Sequence, residues 1–124
     1  MPSILFDRTM DGLAEALTLH QRRHEVLASN LANVETPGFR ARDLDFQTAL
    51  RAAFDPERAD PATAGDDVRL VTDLDAPARA DGNTVDLDLQ MAKLGGNGTR
   101  YLALARLLGL RIALLRTAIE EGGR

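Results

Sequence analysis

The sequence predicts a mainly α protein: long N-terminal and C-terminal helices forming coiled-coil-like seams, with a short irregular or β segment between them. Three observations carry this. Apolar residues recur at alternating steps of four and three near both ends of the chain. A proline and a glycine, Pro37 and Gly38, close the first of these stretches. Aromatic residues are only 4% of the 124, so burial must come from Leu, Ile, Val and Ala, which suits helix seams better than a compact β core. The length fits one domain over 1–124. Its expected parts are a helix over 1–36, an irregular or β middle over 37–86 with a flexible 55–67, and a helix over 87–124.

The first seam runs Phe6, Met10, Leu13, Leu17, His20, His24, Leu27, Leu31, Val34. Mostly polar or small residues lie between, as in a helix with one apolar face. Its stop is chemical. Pro37 disfavours helical geometry at Thr36, and Gly38 permits a left-handed turn. In the middle, 39–46 reads as extended and 46–54 as a turn or two of helix. The stretch 55–67 is rich in Asp, Pro and Ala and reads as loop. Residues 68–74 form a short β-type run that needs a partner strand, and Asp81-Gly82 is a turn signal. The second seam runs Leu87, Met91, Leu94, Gly98, Tyr101, Ala105, Leu108, Ile112, Leu115, Ile119. Asp86 or Asp88 is placed to cap its start.

Gly95, Gly96 and Gly98 fall inside the second helix, each costing about 0.5–1 kcal/mol relative to Ala. Two helices and a thin β piece cannot cover both seams on all sides. Other chains are therefore expected to complete them.

The remaining chemistry is sparse. His20 and His24 stand at i, i+4, a spacing that suits zinc, but "HQRRH" lacks the glutamate of a metalloprotease helix and no third ligand is evident. Both fall on the seam, where polar residues set register, so the expectation is no metal and no cofactor. "GGNG" at 95–98 lacks a phosphate-loop lysine. No catalytic serine, histidine and acid set is readable, and no enzyme is expected. The charge of −4 with scattered bases argues against nucleic acid. Cysteines are absent, which removes disulfide scaffolds. No apolar run reaches the roughly 18 residues of a membrane span, and "MPSILFDRTMDG" does not read as a cleaved signal peptide.

"NLANVETPGF", Asn30 to Phe39, resembles the N-terminal signature of bacterial flagellar rod and hook axial proteins. "RARDLDF", 40–46, and "DGNTVDLDLQMAKL", 81–94, look like a proximal rod member of that family. The resemblance rests on Asn30, Leu31, Ala32, Asn33, Thr36, Pro37, Gly38 and Phe39, on Asp43, Asp45 and Phe46, and on Asp81, Gly82, Asn83, Val85, Asp86, Met91 and Tyr101. Val34-Glu35, the short middle and the three helix glycines depart from the family pattern. The resemblance implies a non-enzymatic structural subunit that leaves the cell through the flagellar type III export apparatus, without a cleaved signal. It implies polymerisation in the periplasmic rod of the basal body, and torque transmission through paired terminal helices. Implied partners are further copies of the chain, other proximal rod proteins and the ring-to-rod adaptor FliE.

On the helix-end reading, Asn30 and Asn33 satisfy backbone groups of the departing loop or of a neighbour, while Phe39 and Phe46 anchor the extended arm by burial. A plain C-terminal helix signal is the alternative for the asparagines. The alternative function is a stand-alone helical adaptor or coiled-coil dimer with no flagellar role; a metal-dependent enzyme built on His20 and His24 is a third reading.

Overall fold

The structure, a computed structural model, describes residues 8–55, 57 and 68–123. In chain order it contains α1 (Arg8–Ala32), β1 (Arg42–Leu44), α2 (Phe46–Phe54), β2 (Leu70–Thr72) and α3 (Leu87–Gly122). The protein is mainly α, with long helices at both ends and a two-stranded middle. Most of 55–67, expected as flexible loop, lies outside the described residues, as does Phe6.

Contacts join His20 to Asn97 and Asn30 to Gln90, so α1 and α3 run in opposite directions. The strand expected at 68–74 finds its partner in the extended 42–44. The two pair antiparallel, Arg42 with Thr72 and Leu44 with Leu70. α2 folds back onto α1, where the Phe54 ring lies over Gly12. A Cβ at residue 12 would stand 2.4 Å from that ring, so the close approach requires glycine.

The buried stripe of α1 differs from the predicted seam in one of its two heptad positions. Leu13, His20 and Leu27 are buried as expected. The other position belongs to Ala16 and Asn30, both buried, with Arg23 half-buried between them. Leu17 and Leu31, predicted there, are half-buried, and His24 is exposed. The cause is that α2 and β1 cover the Gly12, Ala16 and Leu19 side of the helix, which turns the buried arc toward them. α3 shows the same one-residue shift. Its inward row is Gln90, Leu94, Asn97, Tyr101, Leu104, Leu108, Arg111 and Leu115, all buried or half-buried. Met91 and Ile112, predicted on the seam, are 55% and 45% exposed. Apart from Leu104, the shifted position carries small or polar residues in both helices, which an apolar template passes over.

The first helix also ends earlier than the predicted 36. It stops at Ala32 and continues as tight turns, with Asn33 N–H donating to Ser29 O and Asn30 O and Thr36 N–H donating to Asn33 O. At the other end, α3 is longer than its partner. Twelve residues separate His20 from Arg8, so with equal rise Arg8 lies beside about Gly109. The rest of α3, to Gly122, has no described helix next to it.

Candidate assembly site

The family-type motifs meet at one place, the joint where α1 ends and α3 begins. Gly38 and Gly82 both take left-handed φ, +73° and +81°, and these two turns lie against each other. Gly38 N–H donates to Asp81 O at 2.9 Å and Thr84 N–H to Phe39 O at 2.9 Å. Asn83, 0% exposed, holds the joint. Its amide nitrogen donates to the carbonyls of Asn33, Val34 and Thr36 at 2.9, 3.1 and 2.7 Å. Those carbonyls lie where the helix has run out; among the described residues, Asn33 O and Thr36 O accept otherwise only from Thr36 N–H and Phe39 N–H, at 3.0 and 3.2 Å. The Asn83 carbonyl in turn accepts from Val85 N–H at 2.7 Å. Arg79 adds a guanidinium bond to Val34 O and a second, at 3.3 Å, to Val85 O.

One turn back, Asn30 uses both ends of its amide, as expected for this residue. It donates to Arg42 O at 2.7 Å and accepts from Arg42 N–H at 3.0 Å, acting as a strand partner for β1. The same nitrogen donates to Gln90 Oε1 at 3.0 Å, and Gln90 Nε2 donates to Asp73 Oδ2 at 3.1 Å. Lys93 closes the chain of bonds on Asp73 and Asp75 at 2.7 and 2.6 Å. Burial alone would push the Asp73 carboxyl up. The bonds from Lys93, Asp75 N–H and Gln90 outweigh it and hold the group below the ordinary carboxylate range. Lys93 is pulled down by burial but pushed up, on balance, by its bonds to Asp73 and Asp75. This network ties α1, β1, the segment after β2 and α3 together.

A second polar pin crosses the helices farther along. His20 Nδ1 donates to Asn97 Oδ1 at 2.7 Å, and Asn97 Nδ2 donates to His20 O at 2.8 Å. Both residues are buried. Phe46 packs on the His20 ring with centroids 4.6 Å apart, Arg23 lies 5.3 Å over Phe46, and Arg23 grips Asp43 through two bonds of 2.9 Å. His20 is thus a structural residue. His24, exposed, lines together with His20 a groove of about 480 Å³ between α1 and α3, with Glu25, Gly98 and Tyr101. Among the described residues no group of three His, Asp or Glu side chains could hold a metal.

Of the motif residues, Asn30, Asn83 and Val85 are buried in the joint. Asp86 caps α3 by accepting from Leu89 N–H, settling the choice between Asp86 and Asp88. Asn33 plays the simpler part of a local helix-end residue, donating to Ser29 O and accepting from Thr36 Oγ1. Leu31, Phe39, Asp43, Asp45, Phe46 and Tyr101 are half-buried. Phe39 and Phe46 are therefore weaker anchors than fully buried rings, and truncating either costs less than the 3–5 kcal/mol of a core phenylalanine. Ala32, Thr36, Pro37, Gly38, Asp81, Gly82 and Met91 are exposed. Sequence reasoning missed Gln90 and Asn97, together with Asp73, Arg79 and Lys93. A signal for the first pair exists: two amides seven residues apart on one apolar helix mark a shared inward position.

Residues 10–40 match the family model described as "Flagella basal body rod protein", a span that holds most of α1 and its terminal turn. The chain is 32% identical over 134 aligned residues to the flagellar basal body rod protein FlgB of Proteus mirabilis (strain HI4320), covering 94% of this chain and 96% of that one. The chain belongs to the FlgB family. Identities to the FlgB proteins of Escherichia coli (strain K12) and Salmonella typhimurium (strain LT2) are 34% and 31%, each over 126 residues, 87% of this chain and 90% of the relative. At such coverage the FlgB likeness takes in both long helices, not only the first. The stand-alone adaptor without a flagellar role finds no support in these relatives.

Proposed function

We propose that this chain is a structural subunit of the proximal rod of the flagellar basal body, polymerising through its terminal helices and carrying torque. The observation that supports this most is the surface of α3. Leu102, Leu107, Leu110, Leu114 and Ile119 are each at least half exposed, up to 72% for Leu114, and they point to different sides of the helix. Exposed leucines on several sides of one helix, even between arginines, belong in an interior. Here that interior is supplied by neighbouring subunits: further copies, other proximal rod proteins and FliE. The chain reaches the periplasm through the flagellar export apparatus. It performs no catalysis. Torque passes because the polar joint and the two pins fix the helix pair as one rigid unit, which its neighbours then grip.

The test replaces Leu107, Leu110 and Leu114 together by Ser and returns the gene to a non-motile deletion strain. The expected result is a chain that is exported and keeps its joint, with no completed rods in purified basal bodies. Normal swimming with this triple variant would contradict the reading.

A further inference from the structure

Charge is divided unevenly between the two long helices. From Leu89 to Ile119 α3 carries Lys93, Arg100, Arg106, Arg111 and Arg116 and no carboxylate. The whole chain has 15 basic against 19 acidic residues, so the remainder holds ten against nineteen. α1 presents Asp11, Glu15 and Glu25 on its outward face, all exposed. Arg22, the base among them, has a partner of its own. Among the described residues, none of Asp11, Glu15, Glu25, Arg100, Arg106 and Arg116 forms an ion pair within the chain.

The spacings agree. Glu15 and Glu25 are ten residues apart on α1, and Arg106 and Arg116 are ten apart on α3. Each pair therefore repeats at about 15 Å along its axis and is rotated equally about it. The outward side of α3 leading into this stretch is small: Gly95, Gly96, Thr99 and Ala103 are exposed, and a Cβ at either glycine would meet nothing within 4 Å. A second helix can come close there.

We propose that the α3 arginines of one copy, Arg106 and Arg116, seat on Glu15 and Glu25 of a second copy, setting the register of a side-by-side contact. The two surfaces differ, so the contact is head-to-tail and each copy has one surface left for the next. This rests on the reading of the chain as a self-associating rod subunit, and adds the partner surface and its chemistry. Such a contact weakens with salt, because the screening length falls from about 10 Å at 0.1 M to about 3 Å at 1 M.

The experiment is sedimentation velocity of the purified chain at low and high NaCl, with two charge-reversed variants. One is Glu15→Lys with Glu25→Lys; the other is Arg106→Glu with Arg116→Glu. Far-UV circular dichroism confirms that each is folded. Each variant alone is expected to associate on the order of tenfold more weakly than wild type or worse, since like charges then face each other. Mixing the two restores association, because reversed arginine sites meet reversed glutamate sites. Loss of helix cannot be rescued by mixing, so rescue separates pairing from misfolding. If wild type associates independently of salt and reversal, or if the mixture stays dissociated, the pairing is overturned. Rods completed in cells by either reversed variant alone would likewise overturn the pairing, yet leave the rod function intact.

Discussion

Replacing Asn83 by Ala tests the joint most sharply. The substitution removes two N–H donors that serve the carbonyls of Asn33, Val34 and Thr36, and one carbonyl that serves Val85 N–H. Val34 O keeps its bond from Arg79, and the carbonyls of Asn33 and Thr36 keep those from Thr36 N–H and Phe39 N–H. Val85, buried, has no such recourse for its N–H. At about 1 kcal/mol net for each of the two N–H donors and the one carbonyl removed, the expected cost is about 3 kcal/mol. Asn33→Ala is the matched control. It removes one bond to Ser29 O and one from Thr36 Oγ1, both exposed, and should cost about 0.5–1 kcal/mol. Urea unfolding followed by circular dichroism, at one fixed protein concentration, reads the difference. With a slope of about 2 kcal/mol per M, Asn83→Ala lowers the midpoint by about 1.5 M and Asn33→Ala by under about 0.5 M. Equal shifts for the two variants would refute the assignment of Asn83 as the residue that closes the helix end.

Other outcomes follow from single contacts. Gly12→Ala drives a Cβ into the Phe54 ring and is expected to destabilise wild type, yet to stabilise a Phe54→Ala background by about 0.5–1 kcal/mol through helix propensity; a double-mutant cycle gives the coupling. Gly95→Ala with Gly96→Ala meets open space, so the isolated chain should gain about 1–2 kcal/mol in urea unfolding. The folded-state pKa of Asp73 is lowered, so its contribution is present above the ordinary value of 3.8 and is lost as pH falls below it toward the folded value. That of Lys93 is raised, so its contribution is present below 10.5 and is lost as pH rises through the higher folded value. Stability profiles of wild type and Asp73→Asn should therefore run apart across neutral pH and converge in acid.

Much of the fold was legible because its signals are local. Pro37 and Gly38 ended the first helix within a few residues of the right place, and Asp86 capped the second. The 3.5-residue period placed both long helices. One heptad position of each seam was legible as well, at Leu13, His20 and Leu27 and at Leu94, Tyr101 and Leu108. The other position was not. Ala16, Asn30, Gln90 and Asn97 are small or polar, and their inward placement follows from α2 and β1 covering one flank of α1. That covering is a tertiary event with no periodic trace. The early end of α1 at Ala32 has a similar origin. Asn83, some fifty residues away, takes the carbonyls that another helical turn would have used. At the candidate site, Asn30 could be read because an amide near a helix stop suggests backbone bonding. Asp73, Arg79 and Lys93 sit in loop or helix contexts where charged residues are usually solvated, and only the folded joint distinguishes them.

Hydrogen exchange of the isolated chain, compared with the same chain in assembled rods, bears most directly on the idea that neighbours supply cover the subunit lacks. Below the concentration at which it associates, amides of Leu13–Asn30 and Leu87–Leu104 should be protected, while those from Leu110 to Glu121 exchange within the shortest labelling times. In rods the whole of α3 should become protected. Protection of Leu110–Glu121 in the isolated chain equal to that of Leu13–Asn30 would contradict the account.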